Sequence, residues 1–173
     1  ALRMLRRDLR KSVNAARRQS AVRPGSPLAV SHGTEFPVVQ GPMTRVSDVP
    51  EFAAAVADGG GLPFLALALM SPEQSRTLLE ATRDLLGPRP WGVGVLGFVD
   101  RDLRARQFAV IEDVCPPFAV IAGGRPDQAA SLEARGIATY LHVPSPGMLS
   151  MFLSEGARRF VFEGRECGGH VGP

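Results

Sequence analysis

The feature that most constrains this chain is a rhythm. Short apolar runs recur at 37–39, 62–69, 91–98, 118–122, 138–142 and 159–162, most of them about as long as buried parallel strands. Between them, apolar residues fall at helical spacing. Val49, Phe52, Ala53 and Val56 form one stripe, and Leu78, Leu79, Thr82, Leu85 and Leu86 a second. Leu103, Val110, Ile111 and Val114 form a third, and Leu149, Phe152 and Leu153 a fourth. Asp127 to Arg135, stopped by Gly136, reads as a shorter helix. Ser47-Asp48 is expected to cap the first of these helices. Ser71-Pro72-Glu73 opens the second with a cap residue and a first-turn proline, and Asp100 is placed to cap the third. Successive runs lie roughly 20–30 residues apart, too far for hairpins and suited to right-handed βαβ crossovers. The class is therefore α/β with a parallel sheet. Periodicity alone leaves an open doubly wound sheet and a closed barrel both standing.

With 173 residues, 45% of them apolar, the chain can bury the core of one domain. Its longest apolar run, 62–70, is about half of what a membrane helix needs, and no secretory core follows the basic start. A soluble cytoplasmic protein is expected. Cys115 and Cys167 read as free thiols. Met148 and Met151 read as ordinary helix core. No set of His, Cys and carboxylate residues has metal-ligand spacing.

The net charge of +3 is unevenly spread. Residues 1–24 hold eight basic groups and one acid, +7, and the remainder holds twelve against sixteen, −4. Leu2, Leu5, Leu9 and Val13 give this segment an amphipathic helical pattern. It lacks interleaved aromatics and any nucleic-acid motif. The reading is a linker helix, packed on a neighbouring domain of a larger protein, with neither nucleic acid nor membrane as partner. Pro24-Gly25-Ser26-Pro27 ends it. The division is 1–33 as basic helical linker and 34–173 as globular domain. His32, on the linker side, is expected to be solvated.

The loops bear on function. The first run leads into Gln40-Gly41-Pro42-Met43, the third into Gly97-Phe98, and the fourth into Gly123-Gly124. The sixth leads into Glu163-Gly164-Arg165-Glu166-Cys167-Gly168-Gly169-His170. Glycine at a strand end lets backbone approach a ligand closely. Neither GxGxxG nor GxxxxGK[ST] occurs, so the usual dinucleotide and P-loop fingerprints are missing. His142, at the end of the fifth run, is read either as a structural hydrogen-bonding group or as a side chain aimed into the mouth.

The stretch from Glu163 to Gly172 resembles the strand-six signature of the nitronate monooxygenase and FMN-dependent enoyl-ACP reductase superfamily, E/Q-G-x-E-A-G-G-H-x-G. Val38-Val39-Gln40-Gly41-Pro42-Met43 is similar to its opening motif, and 54–62 to its first helix and glycine turn. The resemblance covers about residues 36–173 and implies the first six strand–helix units of a (β/α)8 TIM barrel that binds FMN at its C-terminal mouth. Carried over by position, Gly41, Pro42 and Met43 would line one side of the flavin ring, with Gly94 at the third-strand contact. Glu163 and Gly164 would sit beneath the ring, and Gly168 and Gly169 would let backbone near it. His170 would be the acid/base residue, since imidazole titrates near neutrality and can move a proton while the flavin carries a hydride or an electron.

Two positions depart from the pattern. Where the family's third strand ends Phe-Gly-Val-Asn, this chain has Trp91-Gly92-Val93-Gly94, which removes one flavin contact. Cys167 replaces a usual alanine. A closed barrel takes eight units and about 250 residues, so two further units with phosphate-binding loops are expected beyond Pro173. Without them the sixth strand would have a bare edge and FMN would bind poorly. The activity implied is reduction of an enoyl thioester in polyketide or fatty-acid biosynthesis, with NAD(P)H as the reductant and an acyl thioester or another small molecule as substrate. The basic linker and the nineteen-to-one arginine-to-lysine ratio lean that way. The alternatives are an oxygen-using nitronate monooxygenase and a degenerate, non-catalytic docking domain.

Overall fold

The computed structural model describes residues 22–164 and, of the N-terminal segment, residues 7, 10, 11 and 13–15, which are helical. The elements alternate as the apolar rhythm requires. Helix α1 (Pro27–His32) precedes β1 (Val39–Gln40), α2 (Pro50–Asp58), β2 (Leu62–Ala66) and α3 (Pro72–Leu86). Then come β3 (Gly92–Leu96), α4 (Arg101–Val114), β4 (Phe118–Ala122), α5 (Pro126–Glu133), β5 (Ala138–Val143), α6 (Pro146–Ser154) and β6 (Phe160–Phe162).

All six strands lie in one sheet in the order β1-β2-β3-β4-β5-β6, and every neighbouring pair is parallel. An open doubly wound sheet reverses its strand order at a switch point; this sheet never does. Crossovers of one hand, always advancing in one direction, put every crossover helix on the same face. The result is a half-barrel, the first six units of a (β/α)8 barrel.

Register fixes which residues face which way. Leu65, Val93, Ala119 and Thr139 stand in one row across the sheet, and Ala66, Gly94, Val120 and Tyr140 in the next. The first row, with Leu67, Val95, Ile121, Leu141 and Val143, faces the helices. There it meets Leu78, Leu79 and Leu86 of α3, Ile111 of α4, Leu132 of α5 and Phe152 of α6 in one buried cluster. The second row faces inward, where Leu62, Phe64 and Val120 form a smaller cluster flanked by Phe118 and Tyr140.

Helix starts explain much of the proline content. Proline opens α1, α2, α3, α5 and α6, where its missing N–H costs nothing. Ser71 and Gln74 form a full capping box on α3, and Asp100 accepts from the amides of Asp102 and Leu103 on α4. Those amides hold the Asp100 carboxyl below its ordinary range. The expected cap on α2 is not made. Its N-cap is Val49, with no side-chain bond, because Ser47 is fully buried and tied elsewhere. Leu85, Leu153 and Met151, read as core from the spacing, are exposed; each lies on the solvent edge of its helix.

Two buried glutamines on the helices hold the strand-end loops in place. Gln107 of α4 donates to the carbonyls of Leu67 and Met70, both at 3.0 Å, so α4 anchors the loop after β2. Gln128 of α5 donates to Gly97 O at 3.1 Å and accepts from the Arg125 amide at 2.9 Å, joining the loops after β3 and β4. Both glutamines thus spend their buried side-chain amides on loop main chain, adding to the bonds that Met70 N gives Leu67 O and Arg104 gives Gly97 O. Ion pairs such as Arg76–Asp113 and Arg89–Asp58 decorate the outer face. They are exposed, so solvent and salt screen them and they decide little of the stability.

Candidate active site

The inner face of the half-barrel is where side chains of the strand ends converge. A cavity of about 300 Å³ lies there, walled mainly by apolar groups including Val39, Leu62, Phe64, Val120 and Val161, with Gly41 and Pro42 at one side. The ionisable residues in its lining, among the described residues, are His32, Tyr140 and His142.

The loop after β1 is built with care. The Gln40 side chain donates to Phe64 O at 3.3 Å and accepts from Phe64 N at 3.2 Å, continuing the short β1–β2 ladder with an amide in place of backbone. Ser47 Oγ accepts from Met43 N at 2.8 Å and donates to Met43 O at 3.2 Å, while Ala66 N donates to Ser47 O at 2.8 Å. The buried serine therefore pins the loop to the end of β2. Met43 itself is 41% exposed and is not part of the cavity wall.

Glycine at two positions here means two different things. Gly94, in the inward row of β3, lies directly under the ring of Pro42, and an added Cβ would collide with that ring. The third-strand position that the resemblance associates with a polar flavin contact is thus covered by proline. Gly41 is the opposite: an added Cβ would meet nothing within 4 Å. Neither packing nor a left-handed backbone requires glycine at 41, an exposed position bordering the cavity.

On the far side, His142 of β5 and Glu163, just after β6, face each other with Nδ1 and Oε2 3.9 Å apart. Gly164 follows directly. Gly168, Gly169 and His170, with Cys167, lie outside the described residues. Of the residues singled out from sequence, Gly41, Pro42, Gly94 and Glu163 are therefore brought to one inward-facing region.

His32 corrects the sequence reading. It is 5% exposed, not solvated. Helix α1, capped by Ser26 and ended by Gly33 in the left-handed region, folds back so that His32 Nε2 lies 2.8 Å from Tyr140 Oη. The imidazole also packs edge-on against Phe118 at 5.4 Å. Its buried Nδ1 has no hydrogen-bond partner among the described residues. Burial pushes the His32 imidazole below its ordinary value and the Tyr140 phenol above its own. No local signal marked this burial, because it depends on a contact 108 residues along the chain. Cys115 is an exposed free thiol, at the left-handed C-cap of α4 and away from the cavity.

With the site laid out, comparison with known proteins decides the family. The nitronate monooxygenase family model matches residues 26–121. The chain belongs to the nitronate monooxygenase family. A nitronate monooxygenase of Pseudomonas aeruginosa is 27% identical over 180 residues, covering 81% of this chain and 50% of that protein. The (3aS,4S,5R,7aS)-5-hydroxy-7a-methyl-1-oxo-octahydro-1H-indene-4-carboxyl-CoA dehydrogenase of Rhodococcus jostii is 28% identical over 141 residues, 82% of this chain and 39% of the relative. Among solved structures, FabK from Thermotoga maritima superposes with a TM-score of 0.74 at 26% identity, over 84% of this chain and 46% of its own. A nitroalkane oxidase from Streptomyces ansochromogenes gives 0.72 at 25% identity, over 83% and 50%. This nitronate monooxygenase family chain thus spans about half the length, or less, of the relatives it matches.

Two outcomes follow from the geometry. Gly94→Ala displaces Pro42 and lowers the urea midpoint of unfolding, whereas Gly41→Ala leaves it within error of the parent; equal losses would show that both glycines serve packing alone. For His32 the sign is set by burial, which favours the neutral ring in the folded chain. The unfolded chain therefore takes up the proton first, near pH 6.5, and stability falls as pH drops through that value towards the lowered folded one. Melting between pH 7.5 and 5.5 is expected to show a decline of a few degrees that His32→Leu flattens; an unchanged slope in that variant would clear His32 of the effect.

Proposed function

We propose that this chain forms the first six units of a flavin-dependent oxidoreductase, with FMN seated across the barrel mouth and an enoyl thioester as the substrate reduced. The observation that carries the reading is the pairing of Gly41 with Pro42. Proline 42 presents a flat apolar surface over Gly94, and beside it Gly41 leaves open space that nothing in the chain needs. A planar ring stacking on Pro42 and approaching the Gly41 backbone fits that arrangement. The apolar cavity wall below excludes water from the ring's underside. Flavin supplies the hydride or electron transfer. In this reading the chain's own residues do the rest. Gly41, Pro42 and Met43 would border the ring on one side, with Glu163 and Gly164 on the other; Gly168 and Gly169 would leave room for it, and His170 would deliver or accept the substrate's proton.

A thioester substrate is supported by a relative named as a carboxyl-CoA dehydrogenase and by the likeness to FabK; its reduction, with NAD(P)H as reductant and polyketide or fatty-acid assembly as setting, follows the strand-six resemblance to enoyl-ACP reductases. A second reading, oxygen-dependent oxidation of nitronates, draws on the family model and on the Pseudomonas relative. Expressed with whatever native sequence continues past residue 173, the protein is expected to consume NAD(P)H only when an enoyl thioester is added. His170→Ala should retain flavin and lose most of that turnover, by about 10²–10⁴-fold for a general acid. Oxygen uptake driven by an alkyl nitronate, with no thioester-dependent NAD(P)H loss, would replace the first reading with the second.

A further inference from the structure

His142 was left between a structural and a functional role by its sequence position, and the sheet register resolves which groups it can meet. It is paired across strands with Val161, so the next inward-facing residue on that chain is Glu163. The Glu163 amide donates to Val143 O at 3.4 Å, which extends the β5–β6 ladder past β6 and fixes where the carboxylate starts. Both side chains are mostly shielded, 27% and 21% exposed, with Nδ1 and Oε2 3.9 Å apart. That separation is too long for a hydrogen bond and within reach of an ion pair. Among the described residues neither side chain has another polar partner.

We propose that His142 is a proton-dependent positioning residue, whose protonated imidazole draws the Glu163 carboxylate to the β5 side of the mouth and releases it when neutral. The proposal rests on the mouth being the ligand site described above. It gives Glu163 two settings. With His142 charged, the pair is neutral and the carboxylate is held; with His142 neutral, the Glu163 charge at the mouth is left without its counter-charge on β5. An electron-rich or anionic ring is then admitted more readily at lower pH.

Among the described residues, the other groups nearby are engaged elsewhere or apolar. On β5, Tyr140 is turned to His32 of α1. Arg159, leading into β6, is bound to Glu133 of α5 at 2.5 Å. From β1 and the loop after it come Val39, Gly41 and Pro42, and from β2 and β4 the apolar Leu62, Phe64 and Val120.

A double-mutant cycle tests the pair without any ligand. Melting temperatures of the full chain, His142→Gln, Glu163→Gln and the double variant are compared at pH 5.5 and pH 8. Non-additivity of about 1–3 °C is expected at pH 5.5 and none at pH 8, and His142→Lys should carry the coupling to both values. Additivity at both pH values, or equal coupling at both in the parent cycle, would overturn the proposal. FMN titration of the same proteins separates it from the cofactor reading. Tighter binding at pH 5.5 than at pH 8, lost in His142→Gln, supports the proposal, and a pH effect unaltered in that variant overturns it. Coupling in the cycle with no FMN binding in any protein would support the pair and count against the flavin.

Discussion

Parallel pairing is the constraint from which the rest of this structure follows. A parallel neighbour cannot be reached by a tight turn, so each strand must be followed by a crossover, and the crossovers share one hand. Because strand order here never reverses, all the crossover helices gather on the outer face and all the inward side chains on the other. The strands then end on the same rim, and every loop that could hold a ligand opens there. The apolar inner cluster of Leu62, Phe64 and Val120, flanked by Tyr140, is the floor of that rim, not a second core of the usual size.

Within that frame, small residues decide what the mouth can take. Pro42 over Gly94 and the unfilled space at Gly41 differ only in whether the chain itself occupies the glycine's missing side chain. The first is internal packing and the second is room. The Gln40 amide on Phe64 and the Ser47 hydroxyl on Met43 hold the loop so that this distinction persists. On the outer face, Gln107 and Gln128 do the same for the loops after β2, β3 and β4. The strand-end loops are thus positioned by amides and hydroxyls that touch main chain.

Much of the architecture was legible in the residues. The six apolar runs match the six strands to within a few positions, and β4 coincides with its run. The capping signals at Ser71 and Asp100 are used as their spacing indicates. The two alternatives left by periodicity, barrel or open sheet, are separated by strand order, which no local pattern encodes. Polar residues were harder. Ser47 next to Asp48 looks like a helix cap and is instead a loop clasp. Gln107 and Gln128 sit in helices where a polar residue ordinarily marks the solvent face. His32 followed a proline- and glycine-rich break and looked like linker, yet α1 buries it against Tyr140. In each, the deciding contact is with a distant strand or loop, and only the folded chain brings the two together. Of the residues singled out by resemblance, Gly41, Pro42, Gly94 and Glu163 lie on the inward side, while Gly168, Gly169 and His170 fall outside the described residues.

The account stands or falls on the mouth being a flavin seat. The most direct measurement is the flavin content of the protein purified natively, together with any sequence that continues past residue 173, by absorbance and by release on heat denaturation. A yellow protein releasing close to one equivalent of FMN is the expected result. A colourless protein that releases none, and takes up none from added FMN, would contradict it.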